Sequence, residues 1–241
     1  MTKAKKEEAT ASTEVVSYLD QMAAEAKSVA KSERVSADRF TTASGILSYM
    51  GNPMPDNQMD VVVLASAQEN VYYAGTYDAD NITPPDCFAL AEPGQALAPH
   101  EDVPEPISLQ CQNCGFMQFK SAPNKKGKAC KEKRRLACIP LSDEFDGEMA
   151  MLTVPVMSVK NWSVYVNTIS AKYQRPSWGM ITRIKIVPDP KSQFRILFAE
   201  VEPVDSEQLG LVNARVEAAK QMLMTPYDMN REPREEENKK Y

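Results

Sequence analysis

From Phe40 to Val204 the apolar residues come in short runs or alternate with polar ones, and Gly, Pro, Asn and Asp punctuate them. That pattern predicts strands separated by turns. Strands are expected near FTTASGILSYM, MDVVVLAS, ENVYYAG, CFALA, RRLACIPL, MAMLTVP, ITRIKIVP and FRILFAEVEPV. VVVLA and ILFAEV are continuous enough in apolar character to be central and buried.

At three places the period changes to that of a helix. Val15, Leu19, Met22, Ala26 and Val29 recur at steps of four and three, which predicts a helix over 12–33 with Ser12 as N-cap and Glu14 near the positive end of its dipole. Within the strand region, about 158–174 sets Trp162, Tyr165, Ile169 and Tyr173 on one helical face, with Ser158 able to cap. After the last strand, Asp205 is placed to cap a helix over 205–224 that turns Leu209, Val212, Val216, Ala219 and Leu223 inward, Gln208 completing a capping box. Residues 1–11 and 225–241 lack an apolar period, so a disordered arm and a loose tail are expected.

These elements make an α+β chain that is mostly β. An OB-like barrel core over 40–204, carrying a long polar insertion at about 87–135 between strands, is the expected architecture. The N-terminal helix is expected to dock on its own domain; its other use would be a partner contact or a homo-oligomer, because the seam is too short for an independent coiled coil.

With 241 residues and 43% hydrophobic content the chain can bury a real core. No run approaches the about 18 apolar residues of a membrane span, and MTKAKKEEATASTE leads into no apolar signal segment. A cytosolic location without membrane contact is therefore expected. In a reducing compartment the five cysteines, Cys87, Cys111, Cys114, Cys130 and Cys138, are not expected to form a disulfide framework. Metal ligation or burial remains.

Charge alters the picture because it is unevenly spread. Between 111 and 140 lie Lys120, Lys125, Lys126, Lys128, Lys131, Lys133, Arg134 and Arg135 against the single acid Glu132, a net of +7; the total of -5 leaves -12 for the rest. Such asymmetry can orient an anionic partner.

The same stretch holds the metal-ligand pattern. A C-x2-C pair, Cys111 and Cys114, can aim two sulfurs at one ion, and Cys130 follows 16 positions later. Tetrahedral zinc needs a fourth ligand, for which Cys87, Cys138 and the only histidine, His100, compete. Cys138 alternates with Leu136 on what should be a buried face, and His100 stands in the proline-rich loop APHEDVPEP. Cys87 opens a strand directly after a turn, and Cys87, Cys111, Cys114 and Cys130 are the preferred set. A site of four cysteines is closed, and so the Zn2+ expected here is structural. It would clamp a segment too polar to order itself.

Catalytic signatures are missing: there is no G-x-x-x-x-G-K-[ST], G-x-G-x-x-G or G-x-S-x-G, and no H-x-E beside the cysteines. A non-enzyme is expected. Cations interleaved with rings suit single-stranded nucleic acid, since lysines follow phosphates and ring faces accept any base. The candidate contacts are the eight cations above with Phe116 and Phe119, joined by Tyr72 and Tyr73 from NVYYAG and by Lys172, Arg175 and Trp178 from AKYQRPSW. Alternation allows at most one of the two tyrosines on a binding face.

The succession PPDCFAL, CQNC, GKACKEKRRL, ITRIKIVP and FRILFAEVEPV resembles a group of bacteriophage single-stranded DNA-binding or zinc-ribbon-containing hypothetical proteins, over roughly 40–204. The resemblance implies that Cys87, Cys111, Cys114 and Cys130 match the family's cysteines, while Cys138 falls where an aliphatic residue is usual. It further implies sequence-tolerant DNA binding in replication, recombination or repair within the cytoplasm of an infected bacterial host. The alternative expectation is a phage adaptor whose basic arm grips an acidic host protein of the transcription or replication machinery. An acidic recruiting tail is not evident, because Asp228, Glu232, Glu235, Glu236 and Glu237 are interleaved with Arg231, Arg234, Lys239 and Lys240.

Overall fold

The computed structural model describes residues 40–75, 83–141 and 145–229, together with four separate helical positions, Tyr18, Gln21, Met22 and Glu25. The chain divides into two units, Met1–Ala37 and Asp38–Tyr241. In the first, Tyr18 and Met22 are helical and exposed. The remaining seam residues expected for this helix, with its cap Ser12, lie outside the described residues, as does the arm 1–11.

The second unit is built on one long strand. Strands β1 (Phe40–Thr41), β2 (Ser48–Tyr49) and β3 (Asn52–Pro53) form a small meander, and β4 (Gln58–Tyr72) follows. Sequence patterning suggests two strands where β4 runs unbroken; no Gly or Pro stands between Pro55 and Gly75 to end it. β4 pairs antiparallel with β5 (Cys87–Ala91), β6 (Lys131–Pro140) and β8 (Met180–Asp189). β7 (Ala150–Val154) lies outside β6, and β9 (Gln193–Pro203) lies outside β8.

The order β7-β6-β4-β8-β9 leaves β7 and β9 as edges, so the sheet is open and no closed barrel forms among the described residues. The OB-like barrel expectation is thereby corrected, and the physical reason lies in β4. Instead of curling so that β7 meets β9 around a single core, the sheet carries a core on each face of β4: Val61 and Val63 enter one, Val62 and Leu64 another. ILFAEV is likewise not central. It belongs to edge strand β9, where Ile196 is buried while Leu197 and Val201 are exposed.

Helix α1 (Val156–Tyr173) covers the first face through Trp162, Tyr165 and Ile169. Its N-cap position is Pro155; Ser158 is instead fully buried, its Oγ accepting the Ile196 N–H at 2.9 Å. The second face is covered by α2 (Leu209–Asn213) and α3 (Val216–Leu223), two short helices where one was expected. Val212, Ala219 and Leu223 still point inward. The expected Asp205 cap is corrected: the N-cap position of α2 is Gln208, and Asp205 stands in the turn before it, its Oδ1 accepting the Glu207 N–H at 3.1 Å.

A third cluster, Val71, Phe88, Leu90 and Val103, receives Tyr227 and Met229. Tyr227 and Met229 thus pack where a loose tail was expected, while residues 230–241 of that tail lie outside the described residues. Among the described residues no helix is long and apolar enough to cross a membrane. Leu136 is completely buried in the first-face core. Leu136→Ala should lower unfolding free energy by about 2–5 kcal/mol, measured by denaturant titration.

Candidate metal centre and its basic arm

A register shift between Val63 and Ala65 inserts one residue into β4 against β6 and exchanges the faces that odd and even positions occupy. Beyond it, Gln68, Asn70 and Tyr72 share the first face with Leu136, while Ala67, Glu69 and Val71 share the second with Arg135. Cys87 pairs with Tyr72 and therefore also lies on the first face. Cys130, immediately before β6, alternates with Glu132 and Arg134 onto the same side.

The arm between β5 and β6 returns to this spot twice. Cys111 and Cys114 flank a single 3-10 turn, closed by the Cys114 N–H donating to the Cys111 carbonyl at 3.2 Å. The Cys130 N–H donates to the Phe116 carbonyl at 3.1 Å, which holds the far end of the arm against its near end. Left-handed backbone at Lys120, Lys125 and Gly127 makes the tight reversals between them.

Cys87, Cys111, Cys114 and Cys130 consequently line one cavity of about 20 Å³. A space of that size admits a single water-sized body, the class of one ion. All five cysteines are free, and Cys111, Cys114 and Cys130 are buried. As the side chains stand, no group of three or more His, Cys, Asp or Glu among the described residues is arranged to hold a metal ion. Three of these thiols are nevertheless raised above the usual thiol range. Burial pushes the Cys130 thiol up to about 12, and Cys111, Cys87 and Cys114 add to the rise. Burial also raises Cys87, opposed by the Ile107 backbone hydrogen bond, and Cys111, opposed by the Asn70 side chain. Such thiols resist ionising together unless a cation neutralises them, and sulfur donors suit zinc.

The competing ligands are elsewhere. Cys138 is fully buried beside Leu136 and Leu152 in the first-face core. His100 stacks on Phe88 at 4.9 Å, its Nδ1 accepting the Asp102 N–H at 3.2 Å, and it does not line the thiol cavity.

The expected nucleic-acid contacts divide sharply. Lys120, Lys125 and Lys126 are exposed and make no ion pair among the described residues, and Phe119, next to Lys120 in the chain, is 71% exposed. Lys128 pairs with Glu132 at 2.6 Å, the exposed Lys131 donates to the Lys128 carbonyl, and the partly buried Arg134 donates to the Lys133 carbonyl. Arg135 is withdrawn entirely: it is 4% exposed, ion-paired with Glu69, and donates to the Leu223 and Thr225 carbonyls. Phe116 and Tyr72 pack on each other at 4.6 Å and line the thiol cavity. Tyr73 is on the opposite side of the sheet. Of the residues expected as a second wall, Lys172 pairs with Glu200, Arg175 donates to the Val204 carbonyl, and Trp178 packs against the second-face core.

Sequence reasoning missed Asn70, Ile107 and Glu69. The available signal was polarity inside an otherwise apolar strand, in the Gln68-Glu69-Asn70 step of β4. No family model matches this chain, and no curated protein or solved structure matches it either.

In protein treated with chelator, iodoacetamide should alkylate the partly exposed Cys87 before Cys111, Cys114 or Cys130, and Cys138 only upon unfolding. Time-resolved mass spectrometry of the alkylated peptides reads this order.

Proposed function

We propose that the chain is a zinc-held, single-stranded DNA-binding protein, acting as the phage resemblance implies in replication, recombination or repair. One observation carries the reading: the loop that leaves the four-thiol cavity at Cys114 and returns at Cys130 is the loop that presents Lys120, Lys125, Lys126 and Phe119 to solvent. Zn2+ bound by Cys87, Cys111, Cys114 and Cys130 would stabilise the thiolates and hold the arm; its role there is structural, and the proposed activity is binding and not catalysis. Lysines placed on a loop of fixed ends can follow a phosphate backbone, with the Phe119 ring offering a stacking face that accepts any base.

A second reading, the arm as a grip on an acidic replication or transcription protein, is favoured by the apolar side chains it also exposes, Leu109 at 87% and Ile107 at 41%.

The test combines metal analysis with salt-dependent titration of labelled oligo-dT. One zinc per chain is expected, with DNA affinity that falls steeply as salt rises. Replacing Lys120, Lys125 and Lys126 together by alanine should flatten the log-log salt slope by about two units. Zinc-bearing protein that ignores oligo-dT at low salt would shift the reading to the protein partner; protein free of metal whose arm resists proteolysis equally with and without chelator would remove the zinc.

A further inference from the structure

One wall of the thiol cavity carries a polar side chain that supplies no ligand. Asn70 sits in β4 where β5 and β6 flank it, opposite Ala89 on one side and Glu132 on the other, and it is 2% exposed. Alternation turns its amide onto the first face, into the space that Cys87, Cys111, Cys114 and Cys130 line. The other wall residues beside it, Ala89, Phe116 and Met117, are apolar.

A buried amide ordinarily finds oxygen acceptors. Asn70 meets sulfur instead. Among the described residues its Nδ2 donates to the Met117 thioether at 3.6 Å, and its side chain is the hydrogen-bond partner of the Cys111 thiol. Thioethers and neutral thiols are weak acceptors, so an amide buried against them is poorly compensated, and a leucine of similar volume would fill the place without that cost. A sulfur bound to a cation is a thiolate, and a hydrogen bond to an ionised acceptor is roughly twice as strong as one to a neutral acceptor. The same amide becomes well compensated once Cys111 carries charge. On the Cys87 side the Ile107 backbone makes the matching hydrogen bond to sulfur.

We propose that Asn70 is a positioning residue of the metal centre, its amide donating to the Cys111 sulfur so as to aim that ligand and to offset part of the excess negative charge that four thiolates bring to one divalent ion. The inference rests on the zinc reading above and deepens it: β4, and not the cysteine pattern alone, sets how tightly the ion is held. Partners in this outer position commonly change metal affinity about 10–100-fold.

Full-length wild-type protein and Asn70→Leu, each loaded with Zn2+ and separately with Co2+, test this. Competition with a chromophoric chelator reads the zinc affinity, and absorption reads the sulfur-to-cobalt charge-transfer band. Asn70→Leu should hold zinc about 10–100-fold less tightly while circular dichroism stays native. Its cobalt band should move to lower energy, because a thiolate that loses an N–H donor gives up its electrons more readily; a side chain that merely packs would leave the band in place. If Asn70→Leu does not fold, Asn70→Ala, which removes the donor and adds no bulk, carries the test. Unchanged affinity, or lost affinity with the band unmoved, would overturn the proposal and leave the zinc reading standing. Wild-type protein that takes up neither metal would overturn that reading and the proposal with it.

Discussion

The alternation of side chains along β4 is the constraint from which the rest follows. Fifteen residues of unbroken strand, paired along their length with β5, β6 and β8, deliver successive side chains to opposite sides of one sheet. In the first half both sides are apolar, and each side demands a helical cover. In the second half the apolar demand stops: Asn70 and Tyr72 reach the thiols on one side, and Glu69 meets Arg135 on the other. The inserted residue after Val63 decides which polar group goes to which side. A one-residue change of register would exchange them.

Much of this architecture was legible in the alternation. The positions of β5, β7, β8 and β9, the α1 face of Trp162, Tyr165 and Ile169, and the burial of Cys138 all follow from period and neighbours. What was not legible is pairwise. Apolar content alone cannot tell a central strand from an edge strand, so ILFAEV read as central although β9 has one neighbour and alternates in exposure. Closure of a sheet likewise depends on whether its edge strands meet, which no alternation records, and β7 and β9 do not pair.

The basic run shows the same limit in the site. Eight cations look alike in a sequence, yet β6 begins within the run and imposes its own alternation on Lys131 to Arg135. Arg135 is thereby turned into the interior, whereas the lysines of the preceding loop stay in water. A charge count gives the net charge of the segment but cannot say which charges are committed inside, as Arg135 is to Glu69. Glu69 was invisible for the complementary reason: its partner is 66 positions away.

Arg135 holds the chain that follows α3 through main-chain oxygens at Leu223 and Thr225, with the Tyr227 hydroxyl on Glu69 completing the hold. A clasp made on carbonyls does not care which side chain stands at position 225. It cares about spacing. Evolution can therefore vary the chemistry of that position freely, yet inserting or deleting a single residue between 223 and 227 would unhook the clasp and strand a guanidinium in the interior.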